Sequence, residues 1–178
     1  RSIEDKDESV KMAAVKKIEN EENLANIALT EDNAKIRSMI FDRIEDVDIL
    51  RNIALESKKA DVRLDLVNKL DDEELLTQIA LKDSDKVVRS EAVKRITDEK
   101  GLLEVISSES DRFVRQIAVK NITDTSELIK IALEDDDQFV RNHAVNNPAI
   151  TSEDDFTYIA INSTHEDVAT QAMEHITD

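Results

Sequence analysis

A phrase of Asp-x-x-Val-Arg returns at a fixed step: Asp85–Arg89, Asp111–Arg115 and Asp137–Arg141. The arginines Arg89, Arg115 and Arg141 are evenly spaced at a period of twenty-six. The same step backwards lands on Arg63, Arg37 and a basic substitute at Lys11. A fixed period of this size restricts a chain to a stack of like units. Each unit is too small to enclose a core, so it buries its apolar side only against its neighbour.

Rows of that length turn the sequence into columns. One column holds Val10, Ile36, Val62, Val88, Val114 and Val140. Four further along come Ala14, Ile40, Leu66, Ala92, Ala118 and Ala144, then Val15, Phe41, Val67, Val93, Val119 and Val145. Eight from the first come Ile18, Ile44, Leu70, Ile96 and Ile122. These offsets share one side of an α-helix and predict a helix A of about twelve residues. A second stripe, Leu24, Leu50, Leu76, Leu102 and Leu128 with apolar residues three and four later, predicts a helix B of about nine or ten.

Helix starts carry capping residues. Asp85, Asp111 and Asp137 stand ahead of helix A, and Asp72, Asp98 and Asp124 ahead of helix B. Thr151 with Asp154 reads as a capping box with Asp in the acidic place. Much of the net charge of −17 is thereby assigned to helix N-termini, where the dipole favours anions. Composition agrees with helices: one Gly and one Pro leave little room for hairpins, and four Phe, one Tyr and no Trp are too few for a typical sheet core.

The last row breaks step. Val168 comes two places later than the period from Val140 requires, and Ala169 stands in the arginine's place. Pro148 should stop helix A near Asn147, with Ile150 taking the position of Ile122. At the other end Ile3 falls in the column of Leu29 and Leu55, which predicts the tail of a helix B there. With Asp178 following a seventh helix A, the expectation is a piece of a longer array.

Asp-x-x-Val-Arg-x-x-Ala-Val, an acidic turn and then Leu-x-x-Ile-Ala-Leu together resemble HEAT-like repeats. The short unit is similar to the leucine-rich repeat variant and to the HEAT-like repeats associated with phycobilin lyases. Asn147–Pro148 followed by Thr151–Ser152–Glu153 resembles the variant in particular. The resemblance implies an all-α, right-handed α–α superhelix, an armadillo/HEAT-like solenoid of about seven hairpin repeats. The repeats fall near 5–30, 31–56, 57–82, 83–108, 109–134, 135–162 and, in part, 163–178. It also implies that Arg37, Arg63, Arg89, Arg115 and Arg141 are structural, pairing with Asp residues of neighbouring repeats. The iron–sulfur ligands known near one variant-repeat protein have no counterpart, because there is no Cys, and no residues match a lyase site.

Functional expectations follow. An excess of 41 Asp and Glu over 24 Lys and Arg argues against nucleic acid and against anionic membrane surfaces. No apolar run approaches membrane-spanning length, and the expected setting is cytoplasmic. His143, His165 and His175 never share a column, and Asp135–Asp136–Asp137 lacks the spacing of a calcium loop, so no metal or cofactor is expected. A basic column, Lys17, Arg43, Lys69 and Arg95, gives way to Asn121 and Asn147; it reads as an edge for an acidic partner or as complement to helix C-terminal dipoles. In HEAT-like stacks the B helices line the concave side. Their outward column, Asn26, Asn52, Gln78, Glu104, Lys130 and Tyr158, is the expected contact strip for a protein or peptide. The expected role is a non-catalytic interaction scaffold. The rival is an accessory or lyase-type enzyme subunit holding a small molecule in the groove.

Overall fold

The computed structural model describes residues 3–176, with side chains from residue 7 onward. Regular structure among the described residues is entirely helical: α1 (Ile3–Val15), α2 (Glu21–Thr30), α3 (Ala34–Phe41), α4 (Val47–Glu56), α5 (Ala60–Lys69), α6 (Glu73–Lys82), α7 (Lys86–Arg95), α8 (Glu99–Ser108), α9 (Arg112–Asn121), α10 (Thr125–Glu134), α11 (Gln138–Val145), α12 (Glu153–Asn162) and α13 (Glu166–Glu174). The chain divides into two compact units, Arg1–Leu75 and Leu76–Asp178, with the division inside α6.

Helix starts keep the sequence period. The odd helices α3, α5, α7, α9 and α11 begin at residues 34, 60, 86, 112 and 138, and α2, α4, α6, α8 and α10 at 21, 47, 73, 99 and 125. The inserted pair falls between α11 and α12, so α12 begins two places later than the period from α10 requires. In the first unit α3 packs on α1 and α5, and α4 on α2. In the second α9 packs on α7 and α11, α11 on α13, and α10 on α12. Each of α2, α4, α8, α10 and α12 also packs on the odd helix that follows it.

The valine column is buried where helices cover it. Ile36 and Val62 in the first unit, and Val88, Val114, Val140 and Val168 in the second, are all at most 1 % exposed. Burying each side chain of this size stabilises by about 1.5–3 kcal/mol. Val10 is the exception at 67 % exposed, and Ala14 is exposed beside it, while Val15 is buried. They lie on a side of α1 that no described helix covers. The expected helix-B tail is not seen either, since α1 runs unbroken from Ile3 to Val15. The side chain of Ile3 lies outside the described residues, as does Asp178.

The helices of set A from α3 onward have 8–10 residues, shorter than the stripe suggests. The offset-eight residues explain this. Ile96 and Ile122 have left the helix as extended C-cap residues, yet their side chains are only 1 % exposed. The chain turns outward while the side chain stays in the core. No described residue has positive φ, because the turns run through extended cap residues and need no left-handed glycine. That is how the chain manages with one Gly.

Capping follows the sequence with two corrections. Asp85, Asp111 and Asp137 each accept from two backbone N–H groups of the helix they precede. Ahead of the even helices, Asp72 accepts from the Leu75 N–H, Asp98 from that of Gly101, and Asp124 from those of Ser126 and Glu127. At α12 the cap is Ser152, whose hydroxyl accepts from the Asp155 N–H, and not Thr151: the two-residue insertion moves the helix start from 151 to 153. Helix α11 stops at Val145, two residues earlier than Pro148 alone requires, and Ile150 is buried as the replacement for Ile122. No helix among the described residues is long and apolar enough to cross a membrane.

Candidate functional site

The column expected to meet a partner lies on the even helices: Asn26 on α2, Asn52 on α4, Gln78 on α6, Glu104 on α8, Lys130 on α10 and Tyr158 on α12. All are exposed except Gln78, which is half-buried; Tyr158 is 54 % exposed. Lys130 borders a groove of about 450 Å³ with Leu103 and Ile106 of α8 and Ile131 and Glu134 of α10. The remaining five do not line it.

The arginine column sits at the edge of the buried stripe and makes two kinds of bond. One goes back to the carbonyls that close the preceding even helix. Arg37 Nη1 donates to the carbonyls of Glu31 (3.0 Å) and Asp32 (2.9 Å), Arg63 Nη1 to Ser57 (2.6 Å), Arg89 Nη1 to Asp83 (3.0 Å), and Arg141 Nη1 to Asp135 (2.9 Å) and Asp136 (3.0 Å). The other goes forward to a carboxylate. Arg89 Nε meets Glu109 at 2.6 Å and Arg115 meets Asp135, in both cases at a sequence separation of 20. Lys11 reaches Glu31 at the same separation, 3.5 Å away.

Two members depart, and the sequence gives the reason. Position 57 is Ser, so Arg37 turns to Asp65 (2.6 Å) and Asp61 (3.1 Å). After the insertion, Ser163 holds the matching place, and Arg141 takes Asp167 at 3.5 Å. The carboxylate column has a second duty, since the backbone N–H two residues on donates to Glu31, Asp83, Glu109 and Asp135. Each such carboxylate orders the turn into the next helix. The central member of Asp135–Asp136–Asp137 aside, that triplet is thereby committed to Arg115 and to capping α11. No group of His, Cys, Asp or Glu among the described residues is arranged to hold a metal ion.

Arg43, Asn121 and Asn147 of the basic column cap carbonyls across rows, whereas Lys69 pairs with the Asp42 carboxylate. Arg43 donates to the carbonyls of Val15 and Ile18. Asn121 donates to Val93 (3.1 Å) and Ile96 (3.4 Å), and Asn147 to Val119 (2.9 Å) and Ile122 (3.3 Å). In each case the two partners stand at sequence separations of 28 and 25. Arg and Asn share this column because both are donors, and the open carbonyls at a helix C-terminus ask for a donor, charged or not. Read as a charge pattern alone, the column fades at Asn121. Read as donors, it does not.

Asp32, Glu99, Asp111 and Asp124 are all shifted downward. The Lys59 ammonium holds Asp32 below the usual carboxylate range. The Thr123 hydroxyl does the same for Glu99, helped by the backbone N–H groups of Thr123 and Asp124, and the Ser126 hydroxyl does so for Asp124. Burial pushes Asp111 up, but the Lys86 ammonium and the N–H groups of Phe113 and Val114 outweigh it. Every one serves a helix end or a cross-row anchor. None lines the groove at Lys130 or the groove of about 510 Å³ at Lys120, Asn142, His143, Asn146, Pro148 and Gln171. The histidines stand apart: His143 contacts Gln116 and the Phe139 carbonyl, His175 stacks on Phe156 with ring centres 4.4 Å apart, and His165 precedes α13.

Comparison with protein-family models, with curated proteins and with solved structures finds no match to this chain.

Proposed function

We propose that the chain is a HEAT-like right-handed α–α superhelix acting as a non-catalytic, cytoplasmic scaffold for a protein or peptide. Contact is made through the outward column of the even helices, with Tyr158 and Lys130 as its centre. One observation carries the reading. The apolar, arginine, carboxylate and carbonyl-capping columns are each taken up in packing or in bonds between rows, whereas Asn26, Asn52, Glu104, Lys130 and Tyr158 are exposed and differ in chemistry. A repeat surface tunes specificity where its residues vary and face solvent. The arginine column is structural on this reading: a partly buried guanidinium is held by carbonyls and a carboxylate that offset its desolvation.

Affinity capture with the intact chain, beside a Tyr158→Ala/Lys130→Ala variant of unchanged helicity, tests it. Loss of a protein retained by the parent supports the strip. Identical capture by both removes it.

A further inference from the structure

The second position of the odd helices changes character along the chain. It is Lys35 and Asp61 in α3 and α5, then Val87, Phe113 and Phe139 in α7, α9 and α11. The last three are 56 %, 53 % and 49 % exposed. About half of each ring still faces solvent, and apolar groups rimmed by polar ones mark contact surfaces.

The cations between them give the strip a sign. The Arg112 guanidinium stacks over Phe139 at 4.4 Å and Phe113 at 5.3 Å, and Lys86 lies over Phe113 at 5.5 Å. Lys86 is also paired with Asp111 at 3.2 Å. Arg112 has no carboxylate partner among the described residues. A guanidinium that gives its faces to two rings keeps its N–H edge for a planar anion. The capping acids of these helices are already engaged: Asp85 and Asp137 accept from the N–H groups of their own helices, and Asp111 has Lys86 as well.

We infer that Val87, Phe113 and Phe139, with Arg112 between them, form a docking strip for a peptide segment that alternates carboxylate and apolar side chains. The carboxylate takes the Arg112 edge and its apolar neighbours cover the rings. The chain's net charge of −17 opposes this only at long range, because at physiological salt fields decay within about 8 Å and the local groups decide. The strip lies on the odd helices and does not depend on Tyr158 or Lys130.

The test is fluorescence anisotropy with a short labelled peptide alternating Glu and Leu, its Gln–Leu counterpart and a Lys–Leu peptide, on the full chain. The Glu–Leu peptide should bind, with affinity falling about tenfold for Arg112→Gln, the loss of one charge-assisted pair. It should also fall for Phe113→Ser/Phe139→Ser and stay unchanged for Tyr158→Ala. Equal binding of the Gln–Leu or Lys–Leu peptide, or no effect of Arg112→Gln, overturns the assignment. So does no binding by any peptide. Sedimentation that shows a concentration-dependent dimer abolished by Phe139→Ser would assign the strip to a second copy, and that too overturns the peptide proposal. The substituted side chains are exposed or point outward, so an unchanged circular dichroism melt is the folding control.

Discussion

Arg89 and Arg115 of the second unit and Arg37 of the first belong to one column but meet carboxylates of different solvation. In the second, Arg89 meets a carboxylate that is 5 % exposed and Arg115 one that is 10 % exposed. In the first, Arg37 is only 3 % exposed, but its two carboxylates, Asp65 and Asp61, are 28 % and 56 % exposed. Caps vary too: α7, α9 and α11 have Asp caps and α3 has Asn33, whereas α5 behind Lys59 and α13 behind His165 have no side-chain cap. One column therefore does not have one energy. Whether a carboxylate matters depends on how dry its position is and on whether a second one stands by.

That contrast predicts its largest effect at Glu109. Truncating it leaves the Arg89 guanidinium without its buried partner and the Asp111 N–H without an acceptor. Glu109→Ala should cost about 3 kcal/mol in urea unfolding. Asp65→Ala should cost about 1 kcal/mol, because Asp61 still neutralises Arg37 and water reaches both. Pairing Glu109→Met with Arg89→Met should recover much of the first loss. Equal costs at Glu109 and Asp65 would break the distinction between the units.

Next in size is the carbonyl-capping column. Asn147 is buried, and Asn147→Leu leaves the Val119 and Ile122 carbonyls and the Ala149 N–H without it, which should cost about 2 kcal/mol. Arg43 serves the same purpose in the first unit from a wetter position, so Arg43→Leu should cost about 1 kcal/mol. Asn121→Arg sharpens the comparison, since an arginine donor should serve the Val93 and Ile96 carbonyls and leave the melting temperature within a degree or two.

The period made the helices legible because a stacked chain repeats its packing problem, and the same side chain solves it each time. Apolar columns and Asp caps could be read directly for that reason. The ends of the helices were harder: Ile96 and Ile122 look helical by spacing, and only their backbone shows that they have already left the helix. Val10 fits its column yet is exposed, because a column records what a residue is and not what covers it. The arginine partners needed one more rule, that the forward carboxylate stands at a sequence separation of 20 unless that position is Ser. The sequence contains that rule at Glu31, Ser57, Glu109 and Asp135, but only distances single it out. The Phe113–Arg112–Phe139 stack lies apart from the outward column of the even helices, which a HEAT-like pattern brings forward. Its sequence signal is a Val-Phe-Phe column where a solvated face should be polar.

A smaller effect tests the missing cap of α5. Lys59 holds Asp32 at 2.6 Å on the surface, where such a pair contributes little. Lys59→Asn exchanges that pair for a side-chain cap worth about 1 kcal/mol. A net gain is expected, read as a melting temperature raised by a few degrees. A lowered one would mean that the exposed pair outweighs the cap and that the first unit leans on surface charge more than the second.

The smallest effect concerns pH. Glu99 accepts from the Thr123 hydroxyl and from the Thr123 and Asp124 N–H groups, which joins the start of α8 to the start of α10. These donors favour the carboxylate, so its folded pKa lies below its unfolded one. The stabilisation is then fully present above the unfolded value and disappears as pH falls through the folded value. Thr123→Val removes the hydroxyl, the largest cause of the shift, and should move the Glu99 midpoint up toward the ordinary carboxylate range in a carboxyl-detected NMR titration. The backbone donors remain, so the midpoint should not reach that range fully. In the first unit the matching anchor, Glu21, accepts from the Asp46 N–H at 2.9 Å. An unchanged Glu99 midpoint in Thr123→Val would mean that the hydroxyl adds nothing and that the backbone N–H groups of Thr123 and Asp124 alone hold the carboxylate down.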